Sequence, residues 1–128
     1  MSKRVYLAGP WIAREAMPKM AEQLEAAGHK ITHKWWEYEG ENQDEETDEF
    51  LRSCAEQDVA GVVTADVVIV YNTAKSEGKA VEQGIAIVVG HPIIVVTPYE
   101  KPSSNIFHYL PQYTHVKTFQ EALEIVNG

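Results

Sequence analysis

Residues Ala65–Val96 constrain the fold more than any other stretch. Two short runs, Val67–Tyr71 and Ile93–Val96, are apolar and rich in β-branched residues, as strands buried on both faces are. Between them Val81, Ile85 and Val88 recur at helical spacing, which predicts an amphipathic helix. Strand, helix, strand at this length is a βαβ unit, with parallel strands and a right-handed crossover. One residue does not fit plain packing. Glu82 lies in the first turns of that helix, between Gly78 and Gly84, near the carboxyl end of the preceding strand, where open α/β sheets bind ligands.

The rest of the chain extends the same alternation. Arg4–Ala8 reads as a first strand, ended by Gly9-Pro10. Ile12–Ala27 reads as a helix broken near Met17, because Pro18 falls inside the pattern, and Gly28 suits its C-terminal cap. A weak strand over His29–His33, an acidic tract reaching Glu49 and a helix from about Thr47 to Val63 precede the central unit. Thr97–Tyr113 reads as irregular, His115–Lys117 as a last strand, and Thr118 as the cap of a final helix, Phe119–Val126. The expectation is a single domain over residues 1–128, α/β, with a five-stranded parallel sheet between helices.

Composition narrows the function. With 45% hydrophobic and 23% charged residues the chain matches a soluble globular protein, and no apolar run approaches the roughly 20 residues of a membrane span. Met1-Ser2-Lys3-Arg4 shows no signal-peptide pattern. Cys54 is the one cysteine, which excludes an internal disulfide and fits a reducing cytoplasm. A net charge of −8 argues against a nucleic-acid polymer or an anionic membrane as partner. It leaves room for a single nucleotide. None of the five histidines has H-E-x-x-H spacing and Cys54 lacks a C-x-x-C partner, so no metal or cofactor is expected.

Three loops converge at the carboxyl end of such a sheet: Gly9-Pro10-Trp11, the segment after Trp35, and Asn72–Gly78. Gly9 permits close backbone approach and the helix after Pro10 offers free N–H groups to an anion, although a Gly-Pro turn is as often purely structural. Ser76 opens the central helix as an N-cap and is placed to meet a phosphate. Glu82 is either an exposed helical glutamate or a working carboxylate. Glycine inside a helix costs about 1 kcal/mol and usually reflects close approach, so Gly78 and Gly84 favour the second. Asp58 is a second carboxylate, unremarkable by itself. Asp66 suits the edge of a strand. His33, Trp35 and Trp36 form either a pocket wall or, more simply, a partly buried aromatic cluster.

Together, Glu56-Gln57-Asp58, Ala65-Asp66-Val67-Val68, Ser76-x-Gly78-x-x-x-Glu82-x-Gly84-x-Ala86 and Gly90-His91-Pro92-Ile93 resemble the nucleoside 2-deoxyribosyltransferase superfamily. Within it the 2'-deoxynucleoside 5'-phosphate N-hydrolases are most similar. Val5–Gly9 and Ser103–Phe107 add to the resemblance. It implies a flavodoxin-like three-layer sandwich and a homodimer with shared active sites. It implies Glu82 as nucleophile at C1' of a deoxyribose, Asp58 assisting the leaving base, and Tyr6 holding Glu82. It implies that Ser104 and Asn105 reach a partner's site, and that substrate is held by Gly9, Pro10, Ser76 and Gly78. Serine at 76, where the free-nucleoside transferases carry an acid, favours a 5'-phosphate; Asn105-Ile106-Phe107 resembles the transferases instead. Ala80 departs from a glycine usual in the family.

The chemistry requires two carboxylates in opposite states. Breaking an N-glycosidic bond builds positive charge on the sugar, so an ionised Glu82 stabilises the transition state and can trap the sugar covalently. The departing base needs a proton, so Asp58 must be held protonated, which burial and the nearby Glu82 favour, or pass a proton through water. The expectation is hydrolysis of a 2'-deoxyribonucleoside 5'-monophosphate. Transfer of deoxyribose between bases is the first alternative, and a non-catalytic nucleotide-binding module on the same fold the second.

Overall fold

The computed structural model describes residues 2–38 and 47–128. Strands β1 (Arg4–Ala8), β2 (Lys30–Ile31), β3 (Val67–Tyr71), β4 (Ile93–Val96) and β5 (Tyr113–Val116) form one sheet in the order β2-β1-β3-β4-β5. All pairings are parallel; Tyr6 lies opposite Val68 and Val70 opposite Val95. This is a flavodoxin-like order, with its switch point between β1 and β3. Val5, Leu7, Val68, Ile69, Val70, Ile93 and Val95 are buried, as expected of central strands covered on both faces.

Among the described residues four α-helices cover the sheet: α1 (Met17–Ala26), α2 (Asp48–Thr64), α3 (Glu77–Val89) and α4 (Phe119–Asn127). Right-handed crossovers place α1 on one face and α2 and α3, which pack side by side, on the other; α4, after the last strand, lies on the α1 side, tied to Lys3 and His29. Caps follow the sequence: Thr47, Ser76 and Thr118 each accept a backbone N–H, and Gly28 and Gly90 take positive φ. The break anticipated from Pro18 is present. Trp11–Ala16 is a 3-10 helix, and the α-helix begins at Met17 with the proline in its first turn. Asp66 pairs with Arg4 at the start of β3, at 3.0 Å. No helix among the described residues is long and apolar enough to cross a membrane.

Several expectations are corrected. The second strand is two residues, not His29–His33, because His29 turns inward to Asn127 and the Thr32 hydroxyl is drawn to the Gly61 carbonyl. The last strand starts at Tyr113, whose ring is buried against α3 through Gln83. The stretch before it contains a 3-10 turn at Ile106–Tyr109. Most of the acidic tract, residues 39–46, lies outside the described residues. The largest correction concerns α3. Its valine stripe faces outward, with Val81 61% and Val88 88% exposed, while Lys79, Glu82, Gln83 and Ala86 face the sheet. Of the predicted stripe only Ile85 is partly buried against the core; the inward side mixes Lys79, Glu82 and Gln83 with Ala86.

Candidate active site

Three elements deliver the central group. β1 points Tyr6 toward the face covered by α2 and α3, where its ring is fully buried. α2 brings Asp58, and α3 brings Glu82, which is 8% exposed. The Tyr6 hydroxyl donates to Oε2 of Glu82, and Glu82 and Asp58 act directly on each other's protonation. The three residues assigned to the chemistry by resemblance are thus in one place, and the reading of Glu82 as an exposed helical residue does not hold.

Burial sets the electrostatics. It pushes the Glu82 carboxyl up to about 8; the Tyr6 hydrogen bond opposes this, and the charge of Asp58 adds to it. Burial also raises Asp58, against the Tyr38 hydrogen bond, the nearby His33 and a hydrogen bond to Glu82, so Glu82 pulls Asp58 down and does not raise it as expected. Two carboxyl groups so placed share a proton, and its titration belongs to the pair. Tyr6 and Tyr38 are both pushed far up, first by burial, so each phenol remains a donor. The mutual hydrogen bond raises Glu82 and lowers Asp58, so the resting pair holds its proton on Glu82, the reverse of the expected assignment; displacement at an anomeric carbon requires that proton to pass to Asp58 and leave Glu82 ionised.

A second region lies at the start of α3, and none of Tyr6, Asp58 and Glu82 lines it. Ser76, Ser104 and Asn105 line a cavity of about 820 Å³ at the start of α3, together with Lys75, Lys79 and Lys101. Ser76 Oγ accepts the Lys79 N–H as a helix cap. Lys79 is 6% exposed and has no acidic partner among the described residues; its ammonium donates to Asn72 Oδ1 at 2.9 Å and to the Ala74 carbonyl at 2.7 Å. Asn105 Oδ1 caps the following 3-10 turn through Phe107 N–H. Gly78 is exposed at the start of α3.

Gly9 and Pro10 are placed differently from expectation. A side chain at Gly9 would strike Met17 Cε at 2.6 Å, so its close approach is to α1. Pro10 precedes a 3-10 helix of six residues, a poorer source of aligned N–H groups than an α-helix. Arg14 stacks on Trp11 with its guanidinium 4.7 Å from the ring centre. Trp35 donates its ring N–H to the Leu7 carbonyl at 2.6 Å and packs with Trp11 and Trp36, so the aromatic cluster is structural. Nor do the glycines flanking Glu82 mark close approach: nothing in this chain lies within 4 Å of a Cβ at Gly84.

Gly61, Tyr38 and the three lysines of the second region were not read as part of the site. A Cβ at Gly61 in α2 would meet His33 Cβ at 2.9 Å and the Tyr6 ring at 3.0 Å. This glycine opens the space that Tyr6 occupies beside Glu82. The signal was available: it is a glycine inside a predicted helix, one turn from Asp58. Tyr38 donates to Oδ1 of Asp58 at 2.7 Å; nothing in its sequence context pointed there.

Residues 5–122 match the family model of nucleoside 2-deoxyribosyltransferase. The chain belongs to that family. A search of curated proteins finds no match. Among solved structures, the chain is similar to a 2-deoxyribosyltransferase of Bacillus psychrosaccharolyticus, at 19% identity and TM-score 0.74, covering 94% of this chain and 90% of that one. A CMP N-glycosidase of Clostridium botulinum shares 19% identity at TM-score 0.66, covering 98% and 100%. A conserved protein of Enterococcus faecalis shares 14% identity at TM-score 0.67, covering 97% and 96%. At these identities the structures speak for the family's fold.

Proposed function

We propose that this chain breaks the N-glycosidic bond of a 2'-deoxyribonucleoside or its 5'-phosphate. Glu82 attacks C1' and Asp58 gives a proton to the departing base. The observation that carries the reading is the carboxyl pair, Glu82 buried and Asp58 half-buried, with Tyr6 bonded to Glu82, in a member of this family. A module that only binds nucleotides has no use for two such carboxyls that raise each other's free energy.

The glycosyl-enzyme has two fates. Attack by a second base gives deoxyribosyl transfer, which family membership supports and which now stands ahead of hydrolysis. Attack by water on a bound 5'-monophosphate is the second reading, and a specific observation favours it. The cavity at the start of α3 is lined by three lysines and three serines, a setting suited to a phosphate at a helix start. The similar structure of a CMP N-glycosidase is consistent with a nucleotide on this fold. The experiment is incubation with deoxynucleosides and their monophosphates, with and without an acceptor base, following free base and exchanged product. No base release from any of them would end the reading. Exchange outpacing hydrolysis on free nucleosides decides for transfer.

The same reading includes a homodimer. Ile106, Phe107 and Tyr109 are 75%, 58% and 58% exposed, and the outward valines of α3 form a second apolar surface. A second copy covering these surfaces would bring Ser104 and Asn105 to a neighbouring site. Mixing inactive Glu82→Ala and Asn105→Ala chains tests this: restored base release supports shared sites.

A further inference from the structure

Asp58 is held by a chain of hydrogen bonds that the proposed reaction has not used. Tyr38 Oη lies 2.7 Å from Asp58 Oδ1 and 2.9 Å from the Cys54 carbonyl. Behind it, His33 Nε2 is 2.6 Å from the same phenol oxygen and 3.5 Å from Asp58 Oδ1. A phenol has one hydrogen to give. When His33 Nε2 carries a proton it donates to the phenol oxygen, and the Tyr38 hydrogen is free to point at Asp58. The arrangement mirrors the other half of the site, where Tyr6 donates to Glu82. Each carboxyl has its own tyrosine.

We propose that Tyr38, oriented by His33, is the positioning residue for Asp58: it fixes Oδ1, leaves Oδ2 for the leaving base, and stabilises the carboxylate formed as the base takes its proton. This rests on the reading of the chain as an N-glycosidic-bond-cleaving enzyme. In the step concerned, Glu82 Oε bonds to C1' as the C1'–N bond breaks. The Oδ2–H bond of Asp58 breaks and the base gains that proton. The Tyr38 hydrogen bond strengthens as charge appears on Asp58, so it acts more on the transition state than on the ground state.

The groups that face Asp58 are Tyr38 and His33 from the segment after β2, Glu82 from α3 and Tyr6 from β1, with Cys54 one turn away on α2. Of these, Tyr38 first, then His33 and Glu82, pull Asp58 toward ionisation against its burial.

The test is Tyr38→Phe, read in two ways. In a Glu82→Gln background, which uncouples the pair, the Asp58 carboxyl carbon is followed by 13C NMR against pH. Its midpoint should rise when the phenol is removed, and rise less in His33→Leu. In the otherwise unaltered enzyme, kcat for base release should fall by about 10–100-fold, the worth of a hydrogen bond to a charged group, with KM little changed. A deoxyribosyl substrate with a nitrophenolate leaving group needs no proton and should escape most of that loss. An unmoved midpoint, or equal losses on both substrates, overturns the proposal. If Tyr38→Phe does not fold, His33→Leu carries the same two readouts. If the unaltered protein releases no base, the reading of its activity fails separately, and the titration still decides whether Tyr38 holds Asp58.

Discussion

Glu82→Gln separates the work of the site from its burden on the fold. Glutamine keeps the volume, still accepts the Tyr6 hydrogen and offers an N–H to Asp58, but cannot ionise. In the unaltered protein burial lifts the Glu82 carboxyl from an ordinary 4.5 to about 8. The folded state therefore binds this proton more tightly than the unfolded chain. The stability it contributes is fully present below about 4.5 and is lost as pH rises through about 8. At about 1.4 kcal/mol per pH unit this is about 5 kcal/mol at most, a large share of the roughly 5–15 kcal/mol that holds a domain together. Urea unfolding near pH 5 and near pH 8.5, followed by circular dichroism, reads the difference directly. The glutamine variant should gain on the unaltered protein by several kcal/mol between the two, with m unchanged, while base release disappears. An advantage that is the same at both pH values would refute the reasoning, because the carboxyl would then not be ionising in a buried place.

Three further outcomes are expected. Tyr6→Phe removes the donor that holds Glu82 down, so the acidic limb of the kcat/KM profile should move to higher pH; a pH-rate profile shows it. Gly61→Ala places a methyl against the Tyr6 ring and His33; thermal unfolding should show about 1–3 kcal/mol of destabilisation, and base release should fall with it. Val88→Lys puts a charge on an 88% exposed position of α3; sedimentation should shift toward monomer, and activity per chain should become concentration-dependent.

The sheet was legible because its strands are short, β-branched and apolar, and because Gly, Pro and Ser mark their ends. The breaks at Met17 and the caps at Ser76 and Thr118 followed from local chemistry alone. The facing of α3 did not. Val81 and Val88 form as good an apolar stripe as any core helix, and only the tertiary placement of Glu82 over Tyr6 shows that the other side is inward. The same limit hid Tyr38, which reaches Asp58 across a gap of twenty residues through a short turn whose geometry no spacing rule encodes. Gly61 was legible in kind but overlooked in place: the rule that a helical glycine marks a close approach holds there and fails at Gly84.

The three tryptophans of the sequence stand in one cluster, with ring centres 6.1 Å apart for Trp11 and Trp35 and 5.7 Å apart for Trp35 and Trp36. The middle ring is pinned to the Leu7 carbonyl, one residue along β1 from Tyr6. The protein's whole indole emission therefore originates at the end of the strand that carries the site. Rings this close couple as oscillators, so their near-ultraviolet dichroism reports one local geometry rather than an average over the molecule. A titration with nucleoside or nucleotide can be followed by intrinsic fluorescence with no label introduced, and the signal comes from beside the reacting centre.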